Sequence, residues 1–582
     1  MNERTKTGLE ILQVAVVLGV LGDVLLRQTP WGLNALLFNV AFAAGVLVLL
    51  RRHAARRLTG TAYALVGALV FFASMFVWRD SIELRIADTF AIIAILGVLF
   101  LPTLKISARS AGVAQYAIGV VWAAVNSLFA AGALVGSDIR WNALSTSGWR
   151  RHALAVFRGV LIATPLLIVF GALFVAADAV YEGWIKQVFN VDFENLFSHM
   201  LLLALFGWLT AGYFRGMVFN GAAAAATSLP ITVPEETQAK TSPIDDVRAE
   251  SGEHPITLPG DRSVIEHLNI SDPPNAEVET PSGDLPSTET KTTWSWANID
   301  NSLVPGFTLG TVEVGVILGL INLLFLSFVI VQVPYLFGGM EFVQNTPDFK
   351  LAEYARRGFG ELVAVAALVL PMLLGGHWLL KKDKPAAGML FRILAGIQIA
   401  LLFVIMASAV QRLVLLTGNL GYGMTTVRLY PMIFMTWLAV LFVWFVLTVL
   451  RGKRQYFAWG ALWSAFLILG AAHVLNPDQF IVRHNLALMR EGREFDAAYN
   501  SQLSDDAVPE LFYALEELNA EDQTTTVQEF GKRLCQKREE IDLRSLNISR
   551  MRATAILNSS EALVAAYGDC DPAKLQHTDH PD

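Results

Sequence analysis

Runs of about twenty mainly apolar residues recur along this chain, and no other feature constrains its fold as tightly. A helix must be roughly 20 residues long to cross the hydrocarbon core of a bilayer. Only helices and closed barrels satisfy their own backbone hydrogen bonds there. The runs fall at residues 9–26, 31–50, 61–78, 86–104, 112–135, 154–177 and 196–219 in the first half of the chain. In the second half they fall at 309–333, 358–380, 386–410, 429–450 and 457–474. Composition agrees with them. Hydrophobic residues fill 54% and charged residues 16% of the 582 positions, whereas a soluble globular chain is nearer about a quarter charged. The expected fold is all-α: a polytopic helical membrane bundle of about eleven or twelve spans, with a small helical soluble domain after it.

The basic start, Arg4 and Lys6, precedes an apolar run without a small-x-small cleavage site, which reads as a retained first span. Lys/Arg bias in short loops sets orientation. Arg51-Arg52, Arg56-Arg57, Lys105 and Arg109 place the N-terminus inside; residues 381–384 and 451–454 mark inside loops in the second half. Counting from the latter puts the tail outside. The two halves then disagree by one crossing. The suspect run is 112–135, because Arg140, Arg150 and Arg151 after it also read as cytoplasmic. A re-entrant or interfacial hairpin there leaves eleven crossings, in a cytoplasmic (inner) membrane.

Four regions follow. Residues 1–221 and 305–475 are two transmembrane bundles, and 476–582 a soluble helical tail. Residues 222–304 are a linker, rich in Pro, Ser, Thr and acid, that cannot bury enough apolar surface to fold. Within it, 230–301 holds about fourteen acidic against about four basic residues. In the tail, Asn476 and Pro477 predict an N-cap and first helical residue, and Ser504-Asp505-Asp506 a second cap. Both cysteines, Cys535 and Cys570, lie there. On the outer side they are a candidate disulfide; the alternative is two free thiols.

No P-loop, dinucleotide glycine signature, HExxH, nucleophile elbow or CxxC occurs, so no catalytic residue, cofactor or metal is expected. No basic stripe suggests nucleic acid. His377, alone in an apolar run, reads as a core histidine. Ionisable residues inside spans usually face a bundle interior: Asp23, Asp88, Glu313 and Arg392 qualify, along with Arg158 and the amides Asn34, Asn126, Asn322 and Gln398. Two segments converge on the outer side. One carries Tyr335, Glu353, Tyr354, Arg356, Arg357 and Glu361; the other carries Arg412, Tyr422 and Arg428. These arginines run against the positive-inside trend. They read either as a structural cluster with Glu341, Glu353 or Glu361, or as an anion site, since guanidinium forks bind oxyanions bidentately.

At these residues the chain resembles a known family. The segments 335–339, 353–359 and 421–429 are similar to an uncharacterised bacterial multi-pass membrane family, catalogued only as a domain of unknown function. So are 23–34 near the start and 476–511 in the tail, so the resemblance covers most of the chain outside the linker. It implies the membrane class and carries no reaction, substrate or catalytic residue. The functional expectation is a non-enzymatic envelope sensor, scaffold or binding module, with the bilayer and an envelope protein or anionic lipid or solute as partners. A secondary transporter of a small, anionic solute is the alternative, although no convincing internal repeat is found.

Overall fold

The computed structural model describes residues 3–141, 193–219, 311–337, 359–380, 385–414, 417, 423–536 and 542–567. Among them are seventeen α-helices and no strand. In the first half these are α1 (Glu3–Leu26), α2 (Leu33–His53), α3 (Gly60–Trp78), α4 (Ile82–Phe100), α5 (Val113–Ala133) and α6 (Phe193–Val218). The second half supplies α7 (Thr311–Phe337), α8 (Phe359–Leu379), α9 (Pro385–Val414), α10 (Thr426–Thr448) and α11 (Phe457–Leu475). All eleven are long and apolar enough to cross a membrane. The expected run at 154–177 and the linker at 222–304 lie outside the described residues.

These helices are apolar all round, as spans that face lipid on one side and each other on the other must be. Leu320, Leu323, Leu324 and Phe129 stay exposed, which suits contact with acyl chains. Close approach comes from small residues. A Cβ on Gly19 of α1 would sit 2.7 Å from the Leu203 carbonyl of α6.

α1 and α6 run antiparallel, with Asp23 near the end of one meeting His199 near the start of the other at 2.6 Å. The end of the bundle where α1 begins also holds the end of α2, since Thr7 Oγ1 lies 3.1 Å from His53 Nδ1. The end of α6 is there too, its Met217 carbonyl accepting from Arg57 just before α3. α4 finishes at this same end, and Val120 of α5 packs on Gly97 close by. The far end of α5 does not emerge opposite. A turn of π-helix, Leu134–Asp138, follows it, and Asp138 pairs with Arg4 at 2.6 Å and Arg215 at 2.5 Å. Both ends of α5 therefore sit at the end where α1 starts, although its length and composition would suffice for a crossing.

The remaining helices pack at the other end: α12 (Pro477–Arg490), α13 (Ala497–Gln502), α14 (Val508–Tyr513), α15 (Ala520–Gln536), α16 (Ile548–Asn558) and α17 (Glu561–Tyr567). Their core includes Ile481, Val482, Leu511, Phe530 and Leu557, and it continues into Met424 and Leu429 at the start of α10. Asn485 fixes that junction, accepting from the Met424 N–H at 2.6 Å and donating to the Met424 carbonyl at 3.0 Å.

Two expected caps take other forms. Asn476 adopts left-handed φ of 54° and makes no side-chain cap. Its N–H closes α11 on the Ala472 carbonyl at 3.1 Å, so it turns the chain from one helix into the next. Asp506 does not cap α14; its carboxylate is committed elsewhere.

Candidate functional site at the seam between bundle and C-terminal helices

The turn from α3 to α4 reads Arg79-Asp80-Ser81; the Arg79 N–H closes α3 on the Met75 carbonyl, and the next two N–H groups are left for another partner. Asp506 lies against them. Its carboxylate accepts from the Asp80 N–H at 2.7 Å, the Ser81 N–H at 3.3 Å and Arg79 Nη1 at 3.1 Å. The Ser549 hydroxyl reaches the same carboxylate at 2.5 Å and the Trp78 carbonyl at 2.9 Å, and its one proton serves one at a time. Asp506 is buried, with 4% exposure. A buried carboxylate is tolerable only when charge-assisted bonds of this kind replace water.

Around that carboxylate the seam is filled. The end of α3 leaves carbonyls without helical partners; Asn547 Nδ2 donates to those of Phe76 and Arg79, at 2.9 and 2.8 Å. Arg79 Nε donates to the His473 carbonyl at the end of α11, 2.9 Å away, and its guanidinium stacks 4.5 Å from the Trp78 ring. Asp80 accepts from Arg85 Nη2 at 2.5 Å and Arg550 Nε at 2.7 Å. Asp505 pairs with Arg533 at 2.7 Å. At the α1–α2 turn, the Leu33 N–H donates to the Leu546 carbonyl at 3.0 Å. Gly32 admits this approach, because a Cβ there would lie 2.3 Å from that oxygen.

Asp478 is 2% exposed. Its Oδ2 accepts from the hydroxyl and N–H of Ser504, while Oδ1 has no hydrogen-bond partner among the described residues. Burial pushes this carboxyl up to about 6, helped by the charges of Glu83 and Asp506 and opposed by the Ser504 hydroxyl. Ser81 Oγ bridges Glu83 at 3.0 Å and the Tyr430 hydroxyl of α10 at 2.9 Å.

Below the seam, about 9 Å along α4 from its first residue, Asp88 faces His473 of α11. Asp88 Oδ2 and His473 Nε2 are 3.1 Å apart, and the two side chains are 1% and 0% exposed. His473 Nδ1 lies 2.8 Å from the Leu469 carbonyl, an acceptor only, so Nδ1 carries a proton. One further proton then lies between Nε2 and Oδ2, and the pair is neutral overall on whichever atom it rests.

The residues singled out from the sequence fare differently. Asp23 pairs with Arg27 at 3.2 Å as well as with His199. Asp88 has the partner just described. Glu313 and Arg392 are exposed near the starts of α7 and α9, where long side chains reach the interface. Arg428 is half-buried and donates to the Gly423 carbonyl of its own loop. Glu353, Tyr354, Arg356, Arg357 and Tyr422 lie outside the described residues, as do the side chains of Tyr335, Glu361 and Arg412. Cys535 is fully buried and disulfide-bonded; Cys570 lies outside the described residues. The described residues hold no cluster of His, Cys, Asp and Glu suited to a metal ion.

Sequence reasoning missed Arg79, Asp80, His473, Asp478, Asp506, Ser549 and Arg550. One signal was available. Asp88 and His473 are ionisable groups within separate apolar runs, and each needs a partner inside the bundle.

Eleven apolar span-length helices, ion pairs buried among them and a helical domain seated on one end define a polytopic integral membrane protein in a lipid bilayer. The chain belongs to the family described as a domain of unknown function, DUF4153, whose profile matches residues 65–220 and 289–512. No curated protein matches the chain, and no solved structure does.

Proposed function

We propose that this is a non-enzymatic envelope protein, a membrane-embedded sensor or scaffold, whose C-terminal helices are its working surface. The observation that carries this reading is the burial of Asp506 against the α3–α4 turn. A carboxylate held by two backbone N–H groups and Arg79 ties the position of the domain to that of two spans. An event in the bundle that shifted the turn would reach the domain directly. The basic loops at 51–57, 105–109 and 451–454 support an orientation with the N-terminus in the cytoplasm and the domain outside an inner membrane.

Hydrogen exchange on the protein in nanodiscs tests the coupling. Asp88→Leu, placed within the bundle, should raise exchange in residues 504–507 and 546–550. Unchanged exchange there would sink the proposal.

A specific observation favours secondary transport as the second reading. Gln398 is fully buried within α9, and among the described residues neither of its amide atoms nor Asn322 Oδ1 has a hydrogen-bond partner. Such groups are costly in an apolar core, and with the Asp88–His473 pair they could serve a polar solute. Solute-dependent proton movement in proteoliposomes, abolished by Asp88→Asn, would establish it.

A further inference from the structure

At the end where α1 begins, a cavity of about 420 Å³ opens among the end of α2, the start of α3, the end of α4 and Met217 of α6. That is within the range of small-ligand pockets, about 300–1,000 Å³. Its two sides differ in chemistry. Leu65 and Leu99 line the bundle side, while Arg56, Arg57, Arg109 and Ser107 line the other, and among the described residues no Asp or Glu lines it. Arg57 is half-buried and tied to the Met217 carbonyl, and burial holds its guanidinium below the ordinary arginine range. Arg56 and Arg109 are exposed and form no ion pair among the described residues. Two acids of this end are already committed, Glu10 to Arg52 and His53 and Asp138 to Arg4 and Arg215, and Glu3 at the start of α1 does not line the cavity.

Arg56 and Arg109, two exposed guanidinium groups at a cavity that no carboxylate of the described residues lines, call for an anion. Guanidinium forks match phosphate oxygens. The cavity opens at the ends of spanning helices, where headgroups lie, and its apolar wall continues toward the bilayer core. Basic pockets so placed between spans suit anionic lipid headgroups. We propose that this cavity binds the phosphodiester headgroup of an anionic phospholipid, with an acyl chain against Leu65 and Leu99. The site is independent of the seam at the opposite end.

The test uses the full chain in detergent, titrated with phosphatidylglycerol, with phosphatidylcholine and with inorganic phosphate, and followed by thermal unfolding and native mass spectrometry. Arg56→Gln with Arg109→Gln removes the two exposed cations and leaves Arg57 on Met217, so the variant should unfold at the wild-type temperature without added lipid. Phosphatidylglycerol should stabilise and remain bound to the wild type, phosphatidylcholine and phosphate should not, and the double variant should bind phosphatidylglycerol about tenfold more weakly or worse. Equal phosphatidylglycerol binding by the variant would overturn the proposal. So would stabilisation by inorganic phosphate equal to that by the lipid, which would mark a site for a free oxyanion. If the double variant is misfolded, Arg56→Gln and Arg109→Gln are read singly by the same measurements, and undiminished phosphatidylglycerol binding in both overturns the proposal.

Discussion

Arg79 and Asp506 stand 427 positions apart in the chain and meet at 3.1 Å, their side chains 13% and 1% exposed. The contact closes the C-terminal helices onto the first half of the bundle. Removing one partner of such a pair leaves the other charge buried, which typically costs about 3–5 kcal/mol. Asp506→Ala should destabilise the protein by that order and speed proteolysis within residues 504–550 in membranes. A protease pattern and unfolding curve like those of the wild type would show the carboxylate to be dispensable.

Asp478 gives the seam a pH dependence with a definite sign. Its carboxyl sits at about 6 in the folded protein against 3.8 without burial. Between these values the folded state holds the proton more tightly than the unfolded chain. The stabilisation is complete below the unfolded value and is lost as pH rises through about 6. Asp478→Asn cannot ionise beside Glu83 and Asp506, so it should be more stable at pH 7.5, by up to about 3 kcal/mol, and should flatten the dependence between pH 4 and 7. Glu510 acts in the opposite sense: the Arg483 hydrogen bond holds its carboxyl low, so its contribution is lost as pH falls. Destabilisation of Asp478→Asn at pH 7.5 would contradict the assignment.

The buried pair Asp88–His473 is neutral overall, which makes its two members unequal under substitution. Asn at 88 can still donate to His473 Nε2 and should cost about 1 kcal/mol. Leu at 473 leaves a buried carboxyl without its partner and should cost more, about 1–3 kcal/mol for the unsatisfied group in addition to the lost packing. Equal losses from Asp88→Asn and His473→Leu, measured by equilibrium unfolding in micelles, would instead mean that the shared proton rests on His473 Nε2, with a full charge on each partner.

The ends of α5 offer a topological test. Ser110 precedes the helix and Ser137 lies near its end; both are exposed. Cysteines placed singly at these positions should react with an impermeant maleimide from the same side of the membrane. Labelling from opposite sides would make α5 a true crossing.

What the sequence made legible, and what it did not, has a physical basis. Long apolar runs announce spans because the bilayer leaves few alternatives, and the described helices match them to within about four residues, apart from the start of α1, which lies six residues earlier. At α1, Thr5 and Thr7 break the apolar pattern yet are buried, Thr5 donating to the Asp138 carbonyl and Thr7 bonding to His53. The partner of Asp23 at Arg27 is local, four residues on, and so within reach of pattern reading. The seam was not. Arg79, Asp80, Asp505 and Asp506 look like ordinary surface charges at turns, and only tertiary closure turns them into a buried network. The SDD string at 504–506 carries capping chemistry, but the α3–α4 turn offers its carboxylate better donors than the start of α14 does.

The most direct test of coupling between domain and bundle is a double-mutant cycle on Arg79 and Asp506. Equilibrium unfolding would be measured for the wild type, Arg79→Ala, Asp506→Ala and the double variant in the same lipid nanodiscs. Residues in one network couple by about 0.5–3 kcal/mol, and independent sites add within about 0.3–0.5 kcal/mol. An interaction energy above about 1 kcal/mol, with the double variant scarcely worse than Asp506→Ala alone, is the expected result. Additive losses would mean that the two residues do not act together, and that the C-terminal helices are not tied to the bundle through this contact.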